Sequence, residues 1–246
     1  MTEQAHSGFV GHLIELRNRL MKALLSTLLV FIVLIFFMYD IYDFISAPLV
    51  SNLPSNTSMI ATDVTSVVIV PIKLTLFLAF LIAIPMILHQ VWGFIAPGLY
   101  QNEKKMLVPI LISSVFLFYG GVSFCYFVVL PMILAFFTAA GPEMMTLAPD
   151  IGSYLSFVIK LFYAFGIAFE IPVAIMLLCW SGATTTKSLK EKRPYIVVGV
   201  FVVAMFLTPP DVLSQTLLAL PMLLLFELGL ILAAFYTAKP QQESEE

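Results

Sequence analysis

The sequence has few charged residues, few cysteines and no catalytic motif. Charged residues make up 11% of the chain, against roughly 25% in a typical soluble domain, so an ordinary globular protein is excluded. Cys125 and Cys179 fall in apolar segments without metal-ligand spacing, which favours small buried residues over a disulfide or a metal site. No Walker-type loop, zinc-protease motif or nucleophile elbow occurs, and the three histidines are scattered. The sequence therefore predicts no enzyme, no cofactor and no metal centre, and no basic cluster indicates nucleic-acid binding.

Long apolar segments dominate the chain instead. Hydrophobic residues make up 61% of the sequence, and the apolar segments predict an all-α integral membrane protein. Neither an internal repeat nor a linker divides it, so residues 1–246 are predicted to form a single membrane domain of six spans. The predicted spans are residues 23–39, 71–91, 106–137, 153–180, 195–207 and 213–236.

Positive charges fall in alternate connections between these spans. They precede the first span, separate the second from the third and the fourth from the fifth, and follow the sixth. They are Arg17, Arg19, Lys22, Lys104, Lys105, Lys187, Lys190, Lys192, Arg193 and Lys239. Because cytoplasmic loops collect Lys and Arg, this pattern predicts a bacterial inner-membrane protein with both termini in the cytoplasm.

Two irregularities affect the predicted helices. Five prolines inside apolar segments are expected to bend spans two, three, four and six and so to form a concave wall; they are Pro85, Pro109, Pro131, Pro172 and Pro221. The fifth span has only 13 residues, 195–207, or about 20 Å against a hydrocarbon core of about 30 Å. Either the bilayer thins there, or protein shields the helix, or the true ends lie a few residues away.

Ionisable residues inside spans are costly and therefore point to function. Glu170 lies well inside the fourth span, two residues before Pro172. It is either a paired or protonated structural carboxyl group or a polar group that faces a water-containing cavity. Lys160 lies ten residues earlier on the same predicted helix, about 15 Å along its axis, so the two cannot pair within that helix. Lys160 is expected to extend towards the outer membrane face.

Two segments on the predicted cytoplasmic side carry polar and aromatic residues. The N-terminal segment is predicted to be an amphipathic helix, with Leu13, Leu16 and Leu20 on one side and Glu15 and Arg19 on another. It is either a plain surface helix or part of a binding site. The first cytoplasmic loop combines aromatic residues with an acid, as in Trp92, Phe94, Tyr100 and Glu103. The aromatic residues fit an interfacial belt, whereas two carboxylates on this face fit recognition of a basic peptide.

Seven stretches, taken together and in this order, resemble the TatC family, the core subunit of the twin-arginine protein translocase. They are HLIELRNRL, MIATDV, PIKLT, QVWGFIAPGLYQNEKK, YLSFVIKLFYAFGIAFEIPV, KRPY and FLTPPDVLSQT. The resemblance covers about residues 9–236. It implies a glove-like bundle of six membrane helices with short fifth and sixth helices and both ends in the cytoplasm.

The resemblance also implies site residues and partners. Two acids at the cytoplasmic face would bind the paired arginines of a signal peptide, with four neighbouring residues; the set is Glu15, Glu103, Arg17, Phe94, Leu16 and Leu99. Glu170 matches the polar residue of an intramembrane cavity, whereas Lys160 beside it has no role that the resemblance explains. Asp211 matches an acid in the last external loop, and Gln215 lies near the surface where TatA-type and TatB-type single-span subunits dock.

The implied role is therefore a receptor and assembly platform for the export of folded proteins, embedded in the bilayer, driven by the proton motive force and self-associating. A proton-coupled small-molecule transporter that uses Glu170 and Lys160 is the alternative. Its usual signs, inverted repeats and paired broken helices, do not occur in this sequence. An intramembrane enzyme is a third reading, and no motif supports it.

Overall fold

The structure is a computed structural model in which residues 2–43, 65–95, 107–133, 135, 150–208 and 212–237 are described. Side chains are described at 11–43, 65–94, 108–133, 135, 150–208, 212 and 215–235. The described part of the chain is helical and contains no β-strand. The predicted all-α class is therefore confirmed there.

The described residues form eight α-helices. They are α1 (Thr2–Leu34), α2 (Ser66–Ile95), α3 (Leu107–Phe124), α4 (Ile151–Ala168), α5 (Ile171–Trp180), α6 (Thr186–Glu191), α7 (Arg193–Leu207) and α8 (Val212–Thr237). A short 3₁₀ segment, Ile35–Phe37, follows α1, and a π-helical segment, Cys125–Val129, follows α3.

Five segments among these residues are long and apolar enough to cross a membrane. They are Gly11–Asp43, Ser66–Phe94, Val108–Ile133, Ile151–Trp180 and Gln215–Phe235. The predicted fifth span corresponds to α7, which has 15 residues and so extends about 22 Å. Its predicted shortness is confirmed, whereas its crossing of the bilayer stays a prediction.

The amphipathic N-terminal segment is continuous with the first span. Neither glycine nor proline separates them near Lys22 and Ala23, so nothing breaks the helical hydrogen bonds. Three leucines of the predicted apolar stripe, Leu13, Leu16 and Leu20, are exposed and not buried against the described part of the chain. These side chains are therefore open to lipid or to a partner.

The prolines act differently according to their position. Pro109 is the third described residue of α3, and the bend expected there stays a prediction. Pro131 follows the π-helical segment directly, and Pro172 is the second residue of α5, where the predicted fourth span divides into α4 and α5. By contrast, α2 and α8 continue through Pro85 and Pro221.

The contacts within the chain divide it into two compact units, residues 1–111 with 146–155 and residues 112–145 with 156–246. In the first unit, α1 packs against α2. In the second unit, α8 packs against α5, α6 and α7, around a buried cluster formed by Ile175, Cys179, Phe226, Leu230 and Ala233.

Glycines permit the tightest helix contacts of the second unit. A Cβ atom on Gly121 would lie 2.6 Å from the backbone oxygen of Phe165, and one on Gly166 would lie 2.6 Å from the Phe118 ring. A Cβ atom on Gly229 of α8 would lie 2.9 Å from the Cα atom of Pro172. Small residues let backbones approach in this way, which is how helices associate without a hydrophobic driving force.

Two neighbouring glycines of α3 give a matched test of this packing. Gly121→Ala should lower the free energy of unfolding by about 1–3 kcal/mol, because the new methyl group meets a backbone atom that cannot rotate away. Gly120→Ala is the control, since nothing lies within 4 Å of its added Cβ atom. Thermal unfolding midpoints of both variants in the same detergent measure the difference. Equal shifts would contradict the close approach of α3 and α4.

Candidate functional site

The first candidate site lies on α1, where Glu15 and Arg19 form an ion pair one helical turn apart. Arg19 donates Nε to Glu15 Oε1 at 2.9 Å, and its Nη2 lies 2.8 Å from the same oxygen. No described residue donates a hydrogen bond to Oε2. Both side chains are part-exposed, at 26% for Arg19 and 36% for Glu15. The carboxylate therefore has one occupied oxygen and one that can accept from a ligand.

The guanidinium group of Arg19 rests against the backbone of α2 at Gly93. A Cβ atom on Gly93 would lie 2.5 Å from Arg19 Nη1, so a larger residue would displace the guanidinium group. Beside it, the His12 and Phe94 rings stack with centroids 4.3 Å apart and an interplanar angle of 21°. These contacts connect α1 to the end of α2 and fix the ring of Phe94, which the sequence predicted as a site residue.

Sequence reasoning missed the roles of His12, Arg19 and Gly93. It placed Arg19 on the polar side of the N-terminal helix, and it assigned neither His12 nor Arg19 a partner on another helix. The Trp92-Gly93-Phe94 sequence was a signal, since a glycine between two aromatic residues permits a close approach. Its partner on α1 could not be read from spacing.

The remaining predicted residues of this site are only partly described. Arg17 is exposed and donates Nη2 to Asn18 Oδ1 at 3.3 Å, and Leu16 is exposed on the same helix. Glu103 and Leu99 lie outside the described residues, so the pairing of Glu15 with Glu103 stays a prediction. The structure does bring Glu15 and Phe94 to the same end of the packed α1–α2 pair.

A shallow groove of about 360 Å³ runs along α1 beside the ion pair. It is lined by Gly11, Ile14, Glu15, Asn18, Arg19 and Lys22. The lining holds one acid and two bases, so its described part carries net positive charge. A cationic ligand therefore needs the open oxygen of Glu15 and at least one further acid.

The second candidate site is Glu170, which lies at the break between α4 and α5. Its backbone N–H donates to Ile167 three residues back at 3.0 Å, and its carbonyl oxygen accepts from Ala174 at 2.9 Å. Proline at 172 has no N–H to donate to the carbonyl of Ala168. The break therefore follows from the local sequence.

The carboxyl group of Glu170 is enclosed by protein. Both oxygens are buried and have no hydrogen-bond partner of good geometry within the structure, although the buried Ser114 side chain is near enough to interact with the group. Lys160 is exposed ten residues away on α4. The structure thus does not bring Lys160 to Glu170, and the expected water-containing cavity around Glu170 stays a prediction.

The third polar feature joins α7 to α8. Arg193 Nη2 donates to Glu227 Oε2 at 2.5 Å, and the two side chains are 46% and 42% exposed. Glu227 falls within the predicted sixth span, residues 213–236. Arg193 was counted among the loop bases, so the pair could not be predicted without knowing where α7 begins.

Two further predicted residues lie near the start of α8. Gln215 is half-buried on α8, and Asp211 lies outside the described residues. In the described part of the chain, no three His, Cys, Asp or Glu side chains come close enough to hold a metal ion. Cys125 and Cys179 are both buried and free, as the apolar surroundings predicted.

Comparison with known proteins gives one consistent family. The model of the TatC family, described as Sec-independent protein translocase protein, matches residues 11–221. The Sec-independent protein translocase protein TatC of Haemophilus influenzae is 53% identical over 235 residues, covering 96% of this chain and 92% of its own length. That of Escherichia coli K12 is 52% identical over 236 residues, covering 96% and 92%. A crystal structure of the twin-arginine translocase receptor TatC superposes with a TM-score of 0.83 at 37% identity, covering 92% of this chain and 99% of that one.

The two partly buried acids of the second unit should respond oppositely to removal of charge. Glu170→Gln should leave the unfolding midpoint unchanged or raise it, because an amide costs less to bury than a carboxylate without a partner. Glu227→Gln should lower the free energy of unfolding by up to about 1 kcal/mol, and with it the unfolding midpoint, since it leaves Arg193 unpaired. Thermal unfolding in one detergent measures both. A larger fall in the unfolding midpoint for Glu170→Gln than for Glu227→Gln would contradict the finding that Glu227 is paired with Arg193 and that the carboxyl group of Glu170 lacks a well-formed hydrogen bond.

Proposed function

The chain belongs to the TatC family, and we propose that it binds twin-arginine signal peptides at its cytoplasmic face and assembles partner subunits that export folded proteins. The family description is that of a translocase component, which is a transport role rather than a catalytic one. The related crystal structure is named as a twin-arginine translocase receptor. The local geometry around Glu15 fits a receptor of that kind.

The observation that carries the proposal is the open oxygen of Glu15. A guanidinium group can donate two parallel N–H groups to a carboxylate. It can also donate one N–H to a single carboxylate oxygen and another N–H to a different acceptor nearby. Because Arg19 uses only Oε1, a signal-peptide arginine can bind Oε2 without displacing it. In this proposal Glu103 supplies the acceptor for the second arginine.

The neighbouring residues complete the proposed site. Phe94, held by His12, offers a fixed aromatic face on which a guanidinium group can stack. The exposed Leu16 on α1, together with Leu99, would contact apolar residues of the signal peptide. Arg17 is exposed and is adjacent to Leu16 in sequence. Its guanidinium group would donate hydrogen bonds to carbonyl or carboxylate oxygens of the signal peptide.

We also propose the arrangement of the chain in the bilayer. The charge pattern favours six spans in the bacterial inner membrane, with both termini in the cytoplasm and α7 crossing in the shelter of neighbouring helices. A glove-like bundle would follow from the breaks near Pro131 and Pro172. TatA-type and TatB-type subunits would dock near Gln215 and Asp211, and copies of the chain would associate with one another.

Glu170 has a role in the same proposal. Its carboxyl group, at the break between α4 and α5, would line the intramembrane surface that receives an inserted signal peptide or a partner helix. Lys160, exposed on α4, would lie towards the outer end of that surface. We propose that the two residues line one cavity. The burial of the Glu170 carboxyl group is compatible with this cavity but is not evidence for it.

The first test concerns Glu15. Glu15→Gln keeps the side-chain shape but removes the charge, so it should weaken binding of a twin-arginine peptide by about 1.5–3 kcal/mol, or roughly tenfold to a hundredfold. A twin-lysine peptide should bind the unaltered protein less well, because an ammonium group has no planar face to stack on Phe94 and no rigid set of parallel N–H groups to donate to Oε2. Photocrosslinking and direct peptide titration measure both effects.

The control for this test removes an exposed acid elsewhere, by Glu191→Gln on α6. A second arm uses Gly93→Ala, whose methyl group pushes the mobile end of Arg19 away and releases Glu15 without loss of charge. It should weaken peptide binding less than Glu15→Gln does. Gly11→Ala is its matched control, because it lines the same groove with nothing within 4 Å. Undiminished binding by Glu15→Gln would remove the proposed site.

Topology has its own test. A reporter fused after Pro142 should be active only if that position is periplasmic, and one fused after Ser188 only if it is cytoplasmic, as the distribution of Lys and Arg requires. Compartment-specific reporters at both positions measure this in intact cells. A cytoplasmic result after Pro142 would mean that one predicted span does not cross.

A further inference from the structure

A second groove, unrelated to the signal-peptide site, opens between α6, α7 and α8. It has a volume of about 400 Å³. Two bases and one acid, Lys190, Arg193 and Glu227, line one side, so the lining carries net positive charge. The other side is apolar, formed by Leu230, Ile231, Ala234 and Phe235. A binding partner must therefore combine negative charge with an apolar portion.

The groove exists because α7 begins part-way along α8. Arg193, the first residue of α7, pairs with Glu227, and α8 continues for ten residues beyond Glu227 to Thr237. Those ten residues extend about 15 Å past the level at which α7 begins. Among the described residues, α5 packs against one side of this stretch through Cys179, and the short α6 lies beside it with Leu189 against the buried cluster. The difference in helix lengths leaves a notch at this edge.

The turn before α6 fixes the position of the bases. Gly182 adopts a left-handed φ of 71° after α5, which a glycine does without strain. Thr185 then caps α6 by accepting a hydrogen bond from the Ser188 N–H at 3.2 Å. Lys190 thus lies on a defined helix and not on a free loop.

Charge around the groove is predominantly positive. Four of the seven residues from 187 to 193 are basic, and all four are exposed: Lys187, Lys190, Lys192 and Arg193. The nearby acids are Glu191, which is exposed, and Glu227, which is bound to Arg193. Lys190 forms no ion pair within the described part of the chain. Arg193 uses Nη2 for Glu227 and has further N–H groups that can donate to an anion.

We propose that this groove binds an anionic phospholipid. Its phosphodiester accepts hydrogen bonds from Lys190 and from the remaining N–H groups of Arg193. Its glycerol and upper acyl carbons lie against Leu230 and Ile231. Basic pockets between membrane helices on the cytoplasmic side suit anionic head groups, and this edge is the one proposed above to face the cytoplasm.

The surroundings favour a lipid over an acidic peptide. Phe235, which lines the groove, is 72% exposed, and the same unit has other widely exposed apolar residues such as Val198 and Leu224, at 64% and 62%. In a membrane-spanning chain such a surface faces acyl chains. In a bilayer, phospholipids surround such a surface. Their charged head group and apolar chains would match the basic side and the apolar side of the groove.

The experiment titrates the full-length protein in neutral detergent with phosphatidylglycerol and counts bound lipid by native mass spectrometry. Lys190→Gln should weaken retention about fivefold, as expected from about 1 kcal/mol for each base near an anionic lipid. It leaves the Arg193–Glu227 pair intact, so folding is not at risk. Ala234→Trp, which fills the groove without changing charge, should also reduce retention.

The matched control is Lys187→Gln, which removes the same charge outside the groove lining and should have little effect. Phosphatidylcholine should not be retained. Inorganic phosphate at the same concentration as phosphatidylglycerol should not displace that lipid. Equal losses from Lys187→Gln and Lys190→Gln would overturn the site in favour of a diffuse surface charge. Equal retention of phosphatidylcholine, full competition by phosphate, or binding unaffected by Ala234→Trp would also overturn it.

Discussion

The cost of placing polar groups in hydrocarbon governs this structure. Backbone groups without water must bond to one another, which is why the described spans are helical. Side-chain charges inside a span obey the same constraint, and Glu227, which falls in the predicted sixth span, pairs with Arg193 of a neighbouring helix. The Glu15–Arg19 pair precedes the first predicted span and is not subject to it. Glu170 departs from the rule, because its enclosed oxygens lack a well-formed hydrogen bond. A group that is costly and unsatisfied is the natural place to look for function.

Glycine determines where these polar contacts can form. At Gly93 the missing side chain leaves room for the guanidinium group of Arg19, so α2 itself supports the ion pair that α1 makes. At Gly121 and Gly166 the space is filled by aromatic rings and backbone, and the result is close helix packing without a polar contact. The same small residue therefore has two uses, one that positions a charge and one that brings helices together. Only the neighbouring side chain distinguishes them.

The sequence predicted those features that depend on local order. Apolar length gave the long spans and the short α7, and the position of Pro172 gave the break beside Glu170. Features that depend on distant partners could not be predicted, such as the His12–Phe94 stack and the Arg193–Glu227 pair, which link residues far apart in the chain. Pro172 is informative because the helix restarts next to it: a proline in the first turn of a helix costs no hydrogen bond, whereas one inside a helix removes one.

The geometry of Glu15 also limits how the proposed receptor can gain affinity. A part-exposed ion pair one turn apart contributes only about 0.3–0.5 kcal/mol, so Arg19 is easily moved and cannot by itself exclude a ligand. Its two nitrogens meet the same carboxylate oxygen, so the second oxygen is open to a ligand. However, Arg19 and Lys22 also repel an incoming cation, so Glu15 alone yields little net attraction. Strong selection for paired arginines therefore requires a second acid and an aromatic face acting together, because each arginine must find its own acceptor.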